Sequence, residues 1–312
     1  MLKLESRWRF TALILLLWGA YCGITLLTPQ DPAAQKYQLS ALSLNLLIVS
    51  VSLPYLICWL FATSGWLHLR EFAHNQPRGP ERDGFTKIAY GLLALVASLV
   101  VPTLVRAVYV YISHNPTSAG WNIFNNYMGI FFPLLGFLLM FMGSLQIVSQ
   151  ITSKVTRIAK ATTVFFPVVL FSIFYLFMIF ANPTRQTSLD PSVQPTYFLP
   201  DNMIITTIIL PVIATWFLGL LLVLNLEHYS HYSKTINRLG LVSFYNGIII
   251  IVATTILTQV LASLGNSRFA NLNLGVLLAI IYVFLGLLAL GFGLIARGAK
   301  KLQSPISKDE SG

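Results

Sequence analysis

Residues 45–69 read NLLIVSVSLPYLICWLFATSGWLHL, and residues 202–226 read NMIITTIILPVIATWFLGLLLVLNL. Each is 25 residues of almost unbroken apolar sequence, longer than the roughly 20 residues a helix needs to cross a bilayer. Neither alternates apolar and polar with period two, so a membrane-spanning helix is expected rather than a barrel strand. The two stretches also align at an offset of 157: Asn45 with Asn202, Leu53-Pro54 with Leu210-Pro211, Trp59 with Trp216, Leu67 with Leu224 and Leu69 with Leu226. Aliphatic coincidences between membrane helices are common. Asn, Pro and Trp at one register are much less so.

Six further stretches have the same character, at roughly 9–28, 86–112, 122–150, 162–182, 240–264 and 273–296. Of the 312 residues, 56% are hydrophobic and 10% charged, against about 25% charged in a soluble domain. Such a chain cannot cover a water-facing surface. The expected fold is an all-α integral membrane protein of eight transmembrane helices. The first apolar run is expected to be a retained anchor, because it is long for a signal peptide and lacks a convincing small-residue cleavage site.

Working outward from the matched pair, Tyr21 and Pro29 match Tyr175 and Pro183 at an offset of 154, and Asp31-Pro32 precedes Asn45 much as Asp190-Pro191 precedes Asn202. Tyr90-Gly91 has its counterpart in Asn246-Gly247. The organisation expected is a first four-helix repeat over 1–152, a second over 153–300, and a polar cytoplasmic tail over 301–312. Four spans is an even number, so the repeats are parallel, related by a pseudo-two-fold axis along the membrane normal.

Sixteen basic residues fall on one side of this arrangement: Lys3, Arg7, Arg9, Arg70, Arg78, Arg82, Lys87, Lys154, Arg157, Lys160, Lys234, Arg238, Arg297, Lys300, Lys301 and Lys308. Lys36, Arg185 and Arg268 fall on the other, and Arg106 lies within a span. The positive-inside rule then puts both termini in the cytoplasm of a multi-pass cell-membrane protein. The net charge of +10 sits at helix ends, which suits the lipid bilayer and its anionic headgroups and gives no indication of nucleic acid. Lys154, Arg157 and Lys160 share a helical face, a juxtamembrane anchor or a docking strip for a protein partner at the cytoplasmic loops. Cys22 and Cys58 lie inside spans, so a structural disulfide is not expected.

Chemistry inside the spans is sparse. They hold no His, no Lys and no Asp or Glu away from their ends, which removes a retinal Schiff base, paired aspartates and a carboxylate coupling site. No cofactor and no metal site is expected. The ligand-binding candidates are Arg106, Tyr109, Asn125 and Asn126, plus the tryptophans Trp59 and Trp216 at the junction of the halves. Arg106 lies about 27 Å along its helix from Ile88, at about 1.5 Å per residue, close to the outer interface. It would be joined there by Tyr111, His114, Trp121, Asn122 and Tyr127; the plainer reading is an Arg snorkelling among belt aromatics. Pro54, Pro211 and Pro102 are hinge or kink candidates, with Pro133 and Pro167 adding further kinks.

A second polar set, Asn246, Thr254, Thr255, Thr258 and Gln259, is expected to bond between helices or to line a conduit. The small residues Ala94, Ser98, Gly286, Ala289, Gly291 and Gly293 are expected to serve packing. Three functions fit: a facilitative transporter or permease for a small neutral, weakly anionic or amphiphilic solute; a receptor, scaffold or complex subunit; or a lipid-modifying enzyme using His68, His228, His231 and Glu227.

Overall fold

The computed structural model describes residues 2–27, 40–113, 119–149, 209–232, 236–268 and 274–303. Apart from short turns and caps these form seven helices: α1 (Leu2–Leu27), α2 (Ala41–Asn75), α3 (Pro80–Ser113), α4 (Ala119–Val148), α5 (Leu210–Tyr232), α6 (Arg238–Arg268) and α7 (Leu274–Leu302). All seven are long and apolar enough to cross a membrane. The chain therefore reads as a polytopic helical membrane protein. The span expected at 162–182 lies outside the described residues, as does Pro167.

The helices begin and end where local chemistry permits. Ser40 caps α2, its hydroxyl accepting the Ser43 amide at 3.1 Å. Pro80 opens α3, where a missing N–H costs nothing, and Glu81 and Asp83 in the first turn favour the positive end of the helix dipole. The Asn237 side chain accepts the Gly240 amide at 2.8 Å and starts α6. Lys300 and Lys301 occupy the last turn of α7, beside its unpaired carbonyls. Several helices run beyond their apolar stretches, α2 to Asn75 and α5 to Tyr232, because hydropathy marks the lipid boundary and not the last backbone hydrogen bond.

Each helix from α2 to α7 packs on the next, and α7 returns to pack on α2, so six helices close a ring. α1 lies outside it, against α2 and α3. The ends bearing Arg70, Arg78, Arg82, Arg238, Arg297 and Lys300 meet at one face of this ring, termed the basic end below. One apolar core runs through the ring, including Trp59, Leu69, Phe85, Phe137, Met140, Leu226, Tyr229, Phe244 and Ile295. The outer surface is apolar too, with Leu16, Leu27, Ile112 and Leu290 all exposed. That is the pattern of a protein solvated by lipid, where hydrophobic exposure carries no penalty and packing must supply the cohesion.

Glycine supplies much of that packing. A Cβ on Gly84 would stand 2.7 Å from the Gly143 carbonyl oxygen, and one on Gly136 would stand 2.9 Å from that of Gly91. In the α6–α7 pair the corresponding distances are 2.6 Å from Gly298 to the Gly240 carbonyl and 2.5 Å from Gly247 to that of Gly291. These contacts are with backbone, which cannot rotate away. Both hairpins are thus held at the closest approach two helices allow. Gly291 meets the expectation of a packing role; Gly286 has nothing within 4 Å of its would-be Cβ.

Candidate functional site

The chemistry of the described residues gathers at the basic end and along one stripe of α2. At the basic end, the Tyr229 hydroxyl of α5 crosses to α3 and donates to Glu81 Oε1 at 2.8 Å. Beneath this bond three rings lie edge to face, Phe72 on Phe85 at 5.0 Å and Phe85 on Tyr229 at 6.2 Å. Helices α2, α3 and α5 are joined there by aromatic contact and one charge-assisted hydrogen bond. One turn further in, Asn225 Nδ2 of α5 donates to Ser144 Oγ of α4 at 3.0 Å, both residues being buried.

Next to it, Gln303 clamps the end of α7 to α2. Its Nε2 donates to the His68 carbonyl at 2.7 Å and lies 3.2 Å from Glu71 Oε2, while its Oε1 lies 3.2 Å from His68 Nδ1. Lys87 Nζ donates to Gln146 Oε1 at 2.7 Å and ties α3 to α4. The interfacial residues considered for catalysis therefore engage separate neighbours. His68 belongs to the Gln303 clamp, His231 Nδ1 is 3.2 Å from Arg238, and the His228 ring lies 4.6 Å from that of Tyr232. Among the described residues no three His, Cys, Asp or Glu side chains stand close enough together to hold a metal ion.

The tryptophans singled out from sequence are both interior. Trp59 is 0% exposed and Trp216 1%. Trp216 packs with Ile209 and Val212 against Ile130, Phe217 and Ile256. Among the described residues no acceptor pairs with the buried Trp59 indole N–H, and none with the Thr63 hydroxyl or the Trp66 indole N–H. A buried polar group left unpaired costs about 1–3 kcal/mol, so three on one helix are an unusual concentration. Of these three, Trp59 alone is marked by the repeat; Thr63 and Trp66 are signalled only by their spacing of four and three residues.

Pro54, Pro102 and Pro133 lie within α2, α3 and α4, and Pro211 is the second residue of α5. Next to Pro102, the Thr103 hydroxyl donates to the Leu99 carbonyl at 2.8 Å; near Pro211, Thr215 donates to the proline's own carbonyl at 2.8 Å. Position 106 in α3 and positions 125 and 126 in α4 fall toward the end of that hairpin remote from Gly84; their side chains lie outside the described residues, and so does His114. Tyr109 is half-buried. In the second polar set Thr254, Thr255 and Thr258 all bond to carbonyls of their own helix, Ile250, Val252 and Thr254, rather than between helices. A threonine hydroxyl reaches the preceding turn without help from a neighbour, and that local bond wins here. Asn246 is exposed.

Compared with family models, with curated proteins and with solved structures, the chain has no significant match.

Proposed function

We propose that the protein is a non-enzymatic, facilitative carrier of a small neutral, weakly anionic or amphiphilic solute, built from two parallel four-helix repeats with both termini in the cytoplasm of a cell membrane. The observation that carries this reading is mechanical. The α3–α4 and α6–α7 hairpins are locked by backbone-to-backbone glycine crossings, whereas α2 and α5, which link them, bear the matched Pro54 and Pro211. Two stiff units joined by α2, which Pro54 interrupts, and by α5, which carries Pro211 in its first turn, suit the rocking of one repeat against the other.

The duplication is supported by spacing. Gly84 and Gly91, Gly136 and Gly143, Gly240 and Gly247, and Gly291 and Gly298 are all seven residues apart, and the ring contacts of α2–α3–α4 recur in α5–α6–α7. On this reading the Phe72–Phe85–Tyr229 contacts and the Tyr229–Glu81 bond are the closed cytoplasmic gate, and the solute enters from the far side, toward Trp216, Arg106, Asn125 and Asn126. With no intramembrane carboxylate to couple to an ion gradient, flux runs down the solute gradient.

The full chain reconstituted in liposomes tests this by osmotic and efflux measurements on glycerol, an amino acid and a sugar phosphate, together with transbilayer movement of a fluorescent phospholipid. At least one class should move faster than in protein-free vesicles, and Trp216→Ala should slow it. If every class stays at the protein-free rate, the carrier reading is wrong. A second reading, a receptor or scaffold docking partners at the basic loops, is favoured by the continuous apolar core shared by the two halves. It predicts no flux and a stable complex with a partner.

A further inference from the structure

The unpaired donors of α2 lie on one stripe. Positions 59, 63 and 66 are one helical turn apart in sequence, and Ser52 and Arg70 continue the same line in each direction. α1 covers that line. Its Trp18 Nε1 donates to Ser52 Oγ at 3.0 Å, and its Phe10 ring stands edge-on to Trp66 at 5.1 Å. Between these two contacts α1 offers the buried Ile14, which has no hydrogen-bonding group.

Thr63 differs from the other buried serines and threonines. The other buried serine and threonine hydroxyls among the described residues (Thr25, Ser52, Ser144, Thr215, Ser230 and Thr254) each donate to a carbonyl three or four residues back in their own helix. Thr63 does not, although the local bond was open to it. An indole N–H can only donate, so a group that pairs with these side chains must present acceptor oxygens.

The depths of the donors indicate which acceptor. The Arg70 guanidinium carbon lies 5.7 Å from the Trp66 ring centroid, at the basic end. Thr63 and Trp59 sit about 5 and 11 Å deeper than Trp66, at about 1.5 Å per residue. A cation at the headgroup level with neutral donors beneath it matches a phosphate followed by ester carbonyls. At the offset of 157 the same line carries Ile209, just before α5, and Trp216, Leu220 and Val223 within it, with no counterpart to the Thr63 hydroxyl or the Trp66 indole. The cover is also lightly held: α1 packs on α2 and α3 and turns Leu13, Leu16 and Leu27 outward.

We propose that the α1–α2 seam binds one anionic glycerophospholipid, its phosphate on Arg70 and the Trp66 N–H and its ester oxygens on Thr63 and Trp59, with α1 as the displaceable cover. The site runs from the α1–α2 seam inward to Trp59 and stands whether or not the protein carries a solute. Lipid selectivity follows from Arg70, which meets an anionic head without a competing choline.

The test uses the full chain, delipidated in neutral detergent, with native mass spectrometry and thermal unfolding as readouts. Phosphatidylglycerol should bind at one per chain and raise the melting temperature, with phosphatidylcholine at least about tenfold weaker and glycerol 3-phosphate unable to displace it. Trp66→Phe and Arg70→Gln should each weaken phosphatidylglycerol about tenfold, the loss of one hydrogen bond to a charged group. Thr63→Val should cost about threefold. In lipid-free detergent Thr63→Val should not lower the melting temperature, because it deletes a donor that has nothing to bond. Trp59→Phe provides a second indole deletion if Trp66→Phe fails to fold. Unchanged phosphatidylglycerol binding in these variants, equal binding of phosphatidylcholine, or displacement by glycerol 3-phosphate would each overturn the proposal.

Discussion

Tyr229 is 0% exposed, yet its hydroxyl reaches Glu81 at the rim of the ring. Removing that hydroxyl in Tyr229→Phe keeps the ring contact with Phe85 and leaves a half-buried carboxylate short of one donor. We expect a loss of about 1–3 kcal/mol, measured as earlier thermal unfolding in detergent. Glu81→Gln retains an acceptor oxygen at the same place and should lose less; an equal loss in both would mean that charge, not the bond, holds the contact. Asn225 behaves similarly toward Ser144, but both partners are neutral, so Asn225→Leu should cost nearer 1 kcal/mol. None of these pairings was visible in sequence. Tyr229, Glu81, Asn225 and Ser144 carry no spacing signal, since their partners lie on different helices.

At the level of the element, glycine decides how closely helices meet. Gly91→Ala would push a methyl group against backbone of α4, and Gly247→Ala against backbone of α7. Overpacking of this kind costs about 1–3 kcal/mol, so both should unfold at lower temperature. Gly19→Ala is the control: nothing lies within 4 Å of its would-be Cβ, and replacing a mid-helix glycine should be neutral or stabilising by up to about 1 kcal/mol. Equal melting temperatures for all three would mean the crossings are slack. In the sequence Gly91 and Gly247 stand at similar places in the two halves, and Gly291 belongs to a run of small residues. That these glycines face one another across two hairpins could not be read there, because a glycine facing lipid and one facing a helix have the same hydropathy.

For the molecule as a whole, the proposed topology can be tested by labelling. Single cysteines at Gln76 and Ser304, in a background with Cys22 and Cys58 replaced, should react with an impermeant maleimide from the same side of the membrane, and that side should be cytoplasmic. Labelling from opposite sides would undo both the parallel repeats and the gate assignment. The membrane character, the positions of seven helices and the matched Pro54/Pro211 and Trp59/Trp216 pairs all follow from the linear chain, because bilayer thickness, proline stereochemistry and the cost of burying charge act on consecutive residues. The choice of Arg106, Asn125 and Asn126 as ligand-binding candidates rests on sequence alone, their side chains lying outside the described residues. Only the tertiary structure brings Tyr229 to Glu81, Gln303 to His68 and α1 over the unpaired donors of α2. Inside lipid every helix face is equally apolar, so hydrophobicity does not choose which faces meet; close packing and the pairing of scarce polar groups do, and both are properties of separate helices in contact.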